Sequence, residues 1–175
     1  MEQSTRHPAA FFDRDGTLIK SPPGGTYFSD PSQVVINEYA VAWVKACNRQ
    51  GYPVLVVTNQ SGVGKGLVTD EQVEAVNHRV QLEFAERGAE ITDVLYCPHV
   101  QGECTCRKPG LGLLEQYERM YPIDRLKSIM FGDSWQDFQF AKNARIHYVQ
   151  LQQYYISRPH IAEAKRFLKC DIPVL

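Results

Sequence analysis

Five short, mostly apolar runs punctuate the chain, and between them apolar residues recur at helical spacing. The runs are Ala9 to Phe12, Tyr52 to Val57, Ile91 to Tyr96, Ser128 to Phe131 and His147 to Leu151. Segments of this kind, with little polar alternation, suit strands covered on both faces, as in a parallel sheet. From Asn37 to Gln50, Ala40, Val41, Val44 and Ala46 recur at helical intervals with Trp43, and Gly51 supplies a stop. Thr69 and Gln72 have the form of a capping box, opening a helix through Val73, Val76, Val80 and Phe84 that Gly88 ends. Leu111 to Met120 and Trp135 to Arg145 are predicted as two further helices. This alternation predicts an α/β domain of three layers around a mainly parallel sheet. At 175 residues the chain closes one core, so residues 1–175 are expected to form a single domain.

With 43% hydrophobic and 22% charged residues, the chain has the balance of a packed globule rather than a disordered one. A formal net charge of -1 provides no general attraction to nucleic acid or an anionic membrane. Residues 1–10 lack the apolar core of a signal peptide, and no run reaches membrane-spanning length. A cytoplasmic location and a monomer are expected, with thiols kept reduced.

Parallel sheets bind ligands beyond the carboxyl ends of their strands. Asp13 and Asp15 follow the first run, Thr58 and Asn59 the second, Cys97 and His99 the third, and Asp133 the fourth. Asp13-Arg14-Asp15-Gly16-Thr17 sets two carboxylates two residues apart; a plain turn is the bland alternative, and the further ligands of a calcium loop are absent. Cys97, His99, Cys104 and Cys106 offer three thiolates and an imidazole, the tetrahedral set of a closed structural zinc site. The alternative is a group of buried thiols.

Four segments taken together carry a resemblance: Phe11 to Thr17, Thr58 to Gly62, Arg107-Lys108-Pro109, and Gly132 to Asp137. In order and kind they resemble the four motifs of the haloacid dehalogenase superfamily of phosphatases. The resemblance implies a Rossmann-like core, and the intervals between the motifs leave no room for a large cap, so a capless form is expected. It also implies Mg²⁺-dependent hydrolysis of a phosphomonoester through an aspartyl phosphate. Asp13 would be the nucleophile and Asp15 the general acid and base, with Mg²⁺ held by the Asp13 and Asp133 carboxylates and the Asp15 carbonyl. Thr58 and Asn59 would hold phosphoryl oxygens and Lys108 would supply fixed positive charge. Asp137 would orient this shell, or else be a solvated helix-face acid.

The zinc loop is similar to those of the heptose bisphosphate phosphatases and of the histidinol-phosphate phosphatase domain. The resemblance leads to the 7-phosphate of D-glycero-D-manno-heptose 1,7-bisphosphate as the first expected substrate, in carbohydrate metabolism feeding a lipopolysaccharide precursor. Histidinol phosphate is the close alternative; a nucleic-acid 3′-phosphatase and a non-catalytic zinc-stabilised module follow. Arg107, Ser134 and the Lys20 to Ser29 segment are expected to hold the rest of a small phosphorylated metabolite. Ser134 departs from the pattern, because a basic residue is usual there. Cys47 and Cys170 are predicted as core residues, and His78, His147 and His160 as surface or core histidines.

Overall fold

A computed structural model of the chain describes residues 6–151 and 158–169. Cys170 and the side chain of His160 lie outside the described residues. The sheet has five strands, β1 (Ala10–Phe12), β2 (Val54–Asn59), β3 (Asp93–Cys97), β4 (Ile129–Gly132) and β5 (His147–Gln150), in the order β3-β2-β1-β4-β5. All pairings are parallel. The helices are α1 (Glu38–Arg49), α2 (Asp70–Glu86), α3 (Gly112–Glu118), α4 (Trp135–Ala144) and α5 (Arg158–Leu168). No helix among the described residues is long and apolar enough to cross a membrane.

Strand residues alternate between two cores, and that alternation makes the three expected layers. Ala10, Phe12, Val54, Val56, Ile129 and Phe131 face α1, α2 and α5; Ala9, Phe11, Leu55, Val57 and Met130 face α3 and α4. The expected strands and helices are present, with edges displaced by up to two residues. The α5 helix was not expected, although Ile161, Ala164 and Leu168 are buried at helical spacing.

The direction in which strands are added reverses at β1, which pairs with β2 on one side and β4 on the other. Phe12 pairs in register with Phe131, their rings stack at 4.5 Å, and Trp43 of α1 lies 5.4 Å from the Phe131 ring. Such ring pairs add about 0.5–1.5 kcal/mol each beyond area burial. They fix the heights at which β1 and β4 end, so Asp13 and Asp133 emerge side by side. On the other flank Asn59 pairs with Cys97, setting the phosphate-motif residues against the start of the zinc loop.

Candidate active site

After β1 the chain folds back on itself. Leu18 and Ile19 amides both donate to the Arg14 carbonyl at 3.0 Å, and the Gly16 amide donates to the Ile19 carbonyl at 2.8 Å. Asn37, just before α1, donates to the Thr17 carbonyl at 3.0 Å. Gly16 has φ +90°, and a Cβ there would lie 2.3 Å from Asp133 Oδ2. Glycine therefore admits both the turn and the neighbouring carboxylate.

Asp13 is buried at this edge, and its Oδ1 accepts from Lys108 Nζ at 2.7 Å. The same ammonium donates to Asp137 Oδ1 at 2.6 Å. Burial pushes the Asp13 carboxyl up to about 8 against the pull of Lys108, and the nearby Asp137 and Asp15 charges push the same way. Burial also raises Asp133, to about 6, with Asp137 adding to it. For Lys108 burial acts downward, but Asp13 and Asp137 outweigh it and hold the ammonium up to about 12.

Ligand oxygens of Asp13, Asp133 and Asp137 all lie within 4.8 Å of one another. Three carboxylates face one ammonium, and if all are ionised a divalent cation would bring the group to neutrality. Hard oxygen donors suit Mg²⁺. Asp137 itself is 0% exposed, so the solvated-acid reading of it is wrong. Its oxygens accept from Lys108 Nζ, from the Ser134 amide at 3.0 Å and from Ser134 Oγ at 2.6 Å. With three donors to satisfy, it orients Lys108 and leaves Asp13 and Asp133 to meet a cation. Gly132 permits this, since a Cβ there would lie 2.5 Å from Asp137 Cγ.

Two residues expected to hold phosphate or substrate have side chains engaged elsewhere. Asn59 Nδ2 donates to the Lys108 carbonyl at 3.0 Å while its Oδ1 accepts the Lys108 amide at 2.9 Å. It therefore pins the lysine's backbone, leaving only its own main chain for phosphate. Ser134 is the N-cap of α4 in a reciprocal capping box with Asp137. The signal for that cap, Ser-x-x-Asp before a helix, stands in the sequence. Thr58 is buried beside Asp13's strand and accepts from Gln60 Nε2 at 2.8 Å through Oγ1, which keeps its own proton to donate.

Asp15 is held by groups the sequence did not reveal. Arg14 Nε and Nη2 address its two oxygens at 2.9 and 3.0 Å, and Gln60 Nε2 reaches Oδ2 at 2.9 Å. Arg14 occupied only the variable place between two aspartates, so nothing local marked it.

Cys97, His99, Cys104 and Cys106 converge as expected. Sulfur to sulfur distances are 3.2–3.5 Å, and His99 Nδ1 lies 3.3 Å from Cys106 Sγ and 3.6 Å from Cys97 Sγ. Ligands about 2.3 Å from a tetrahedral Zn²⁺ stand a little under 4 Å apart. The four donors therefore fit zinc, and together they would complete its shell. The loop ends at Arg107 and Lys108. There Arg107, Lys108, Trp135 and Gln136 line a cavity of about 250 Å³, and Arg107 Nη1 is buried with no hydrogen-bond partner among the described residues. Tyr27 OH lies 3.1 Å from Ser61 Oγ and accepts from Lys65 Nζ at 3.0 Å, which ties the segment from Lys20 to Ser29 to the chain that follows Thr58 and Asn59. Cys47 is a core residue as expected, His78 is exposed, and His147 is half-buried, stacked on Phe167 at 4.9 Å.

Residues 8–155 match the family described as polynucleotide kinase 3 phosphatase. The D-glycero-beta-D-manno-heptose-1,7-bisphosphate 7-phosphatase of Rhodopseudomonas palustris is 35% identical over 149 residues, covering 81% of this chain and 81% of that protein. The enzyme of the same description from Photorhabdus laumondii is 33% identical over 147 residues, covering 79% and 77%. The crystal structure of D,D-heptose 1,7-bisphosphate phosphatase from B. bronchiseptica, complexed with magnesium and phosphate, superposes with a TM-score of 0.73 at 25% identity, covering 89% of this chain and 86% of that one. A structure from Mesorhizobium loti described as HAD-like gives 0.79 at 27% identity, covering 94% and 87%. With its motifs gathered at one sheet edge and a match spanning most of its length, the chain belongs to the polynucleotide kinase 3 phosphatase family, phosphatases of the haloacid dehalogenase-like fold.

Proposed function

We propose that the protein is a cytoplasmic, Mg²⁺-dependent phosphomonoesterase that removes the 7-phosphate of D-glycero-D-manno-heptose 1,7-bisphosphate. The observation that carries the chemistry is the buried Asp13 carboxylate at the end of β1, 2.7 Å from the Lys108 ammonium and grouped with Asp133. The substrate is supported by the heptose bisphosphate phosphatases to which the chain is similar and by Arg107 Nη1 beside Lys108, which has no hydrogen-bond partner among the described residues and suits an anionic substituent.

In the first step an Asp13 oxygen bonds to phosphorus, the ester P–O bond breaks toward the leaving oxygen, and Asp15 gives that oxygen a proton. In the second, Asp15 takes a proton from water as the water attacks the aspartyl phosphate, freeing phosphate and Asp13. Lys108 and Thr58 hold the equatorial oxygens throughout. Mg²⁺, with the Asp13 and Asp133 carboxylates and the Asp15 carbonyl as its protein ligands, supplies the positive charge that lets two anions meet. Zn²⁺ on Cys97, His99, Cys104 and Cys106 stiffens the loop that carries Arg107 and Lys108.

Phosphate release from heptose 1,7-bisphosphate, histidinol phosphate and a 3′-phosphorylated oligonucleotide, each with Mg²⁺ and without it, tests this reading. The heptose ester should be hydrolysed with the highest kcat/KM, and only with the metal. Preference for histidinol phosphate or the oligonucleotide would replace the substrate. Turnover of none would leave a non-catalytic module.

A further inference from the structure

Arg14 is among the largest fully buried side chains of the protein, at 1% exposure. A buried guanidinium is costly unless its donors are met. Here they are met by Asp15, through the fork already described, and by Asn77 of α2, whose Oδ1 accepts from Arg14 Nη1 at 2.6 Å. Asn77 is itself buried, and the Phe28 ring lies 6.0 Å from the guanidinium carbon. The path from Asn77 through Arg14 to Asp15 thus joins a helix on one face of the sheet to the expected proton donor.

The physical consequence falls on Asp15. A planar fork addressing both carboxylate oxygens resists rotation of that group, because turning it breaks two charge-assisted hydrogen bonds. Gln60 adds a second donor to Oδ2, while Oδ1 accepts only Arg14 Nε among the hydrogen bonds of the described residues. On this count Oδ2 has both lone pairs engaged and Oδ1 has one to spare. A carboxyl held this way presents one defined oxygen to a proton in transfer.

We infer that Arg14, anchored by Asn77, is a positioning residue that aims the Asp15 carboxyl at the leaving oxygen. In that step the Asp13 to phosphorus bond forms, the ester bond's electron pair passes to the leaving oxygen, and the proton moves there from Asp15. The inference rests on the phosphatase reading above and extends it to a side chain of α2 that is outside the assigned catalytic and metal groups.

Leaving groups separate this role from a structural one. An alkoxide needs its proton as the bond breaks; p-nitrophenolate departs without one. The readout is leaving-group release in a single turnover, with the Mg²⁺-loaded enzyme in excess. It is taken on p-nitrophenyl phosphate and on heptose 1,7-bisphosphate for the unchanged protein, Asn77→Ala, Arg14→Lys and Asn77→Asp. Asn77→Ala and Arg14→Lys should slow release from the sugar ester about tenfold or more while changing the aryl ester less than about threefold. Asn77→Asp, which keeps an acceptor for Arg14, should restore most of the sugar-ester rate. Thermal unfolding checks each fold, and Arg14→Lys carries the test if Asn77→Ala does not fold. Equal losses on both esters, or no loss on either, would overturn the inference while the phosphatase reading stood. An unchanged protein that cleaves neither ester would remove that reading and the inference with it.

Discussion

Lys108 holds Asp13 and Asp137 at once, with Asp133 close by, and this imbalance of charge sets how the site responds to pH. An acid whose folded-state pKa lies above its unfolded value binds its proton more tightly in the native state. Its stabilising effect is whole below the unfolded pKa, near 4, and fades as pH rises through the folded value. Asp13, pushed up to about 8, and Asp133, pushed up to about 6, both have this sign, burial being the leading cause. Lys108 is charged in both states across this window and adds no slope. Asp30 and Asp124, held below the usual carboxylate range by hydrogen bonds, act below the window. In magnesium-free buffer, Tm should therefore fall by about 3 °C or more between pH 5 and pH 8. Added Mg²⁺ should raise Tm more at pH 8 than at pH 5. A flat profile that Mg²⁺ leaves unchanged would mean that this carboxylate group does not carry the excess charge assigned to it.

At the scale of elements, the Cys97 to Cys106 loop, proposed to hold zinc, is the joint between β3 and the lysine. It is tied to the exit of β2 by the Gln60 amide on the Cys97 carbonyl at 2.8 Å and the Gly64 amide on the Pro98 carbonyl at 2.9 Å. Nine residues of chain from Pro98 to Cys106 contain no helix or strand, so their order depends on the ligand cluster and these few bonds. Cys104→Ser should lower zinc content and reduce Tm by about 5 °C or more together, because metal affinity and folding draw on the same free energy. Metal analysis and thermal unfolding on one preparation check this. Full zinc occupancy would take Cys104 out of the ligand set. The loop was readable from sequence because four ligands of the right kind fell within ten residues. Strand cores were readable because burial on both faces leaves an unbroken apolar run. Their edges were not, since Ile91 and Thr92 before β3, or Asn59 at the end of β2, are placed by pairing with neighbouring strands rather than by local preference. The α5 helix begins 21 positions after Asp137, the last motif residue, so no motif marked it.

At the scale of the molecule, strand order decides which residues meet. Asp13, Thr58, Lys108 and Asp133 lie up to 120 positions apart in sequence, yet β1 sits between β2 and β4 and draws them to one edge. Each could be picked out beforehand because it followed an apolar run or stood in a family motif. The side-chain pairings that orient them could not, even where the residue itself, as with Asn59, stood in a motif. Asn77 meets Arg14 across 63 positions, and Asn59 meets Lys108 across 49, through contacts that only the assembled layers create. Asp137 stayed open between orienting the site and facing solvent because helix periodicity alone does not reveal which face α4 turns to the sheet. The chemistry itself turns on one carboxylate, Asp13, and the direct test is to catch phosphorus on it. Enzyme mixed with ³²P-labelled heptose 1,7-bisphosphate and Mg²⁺, quenched in acid within one turnover and digested, should yield a hydroxylamine-labile labelled peptide containing Asp13. Asp13→Asn, folded to the same Tm within about 2 °C, should give no label and no turnover. Label on a different residue, or full turnover by Asp13→Asn, would contradict the account.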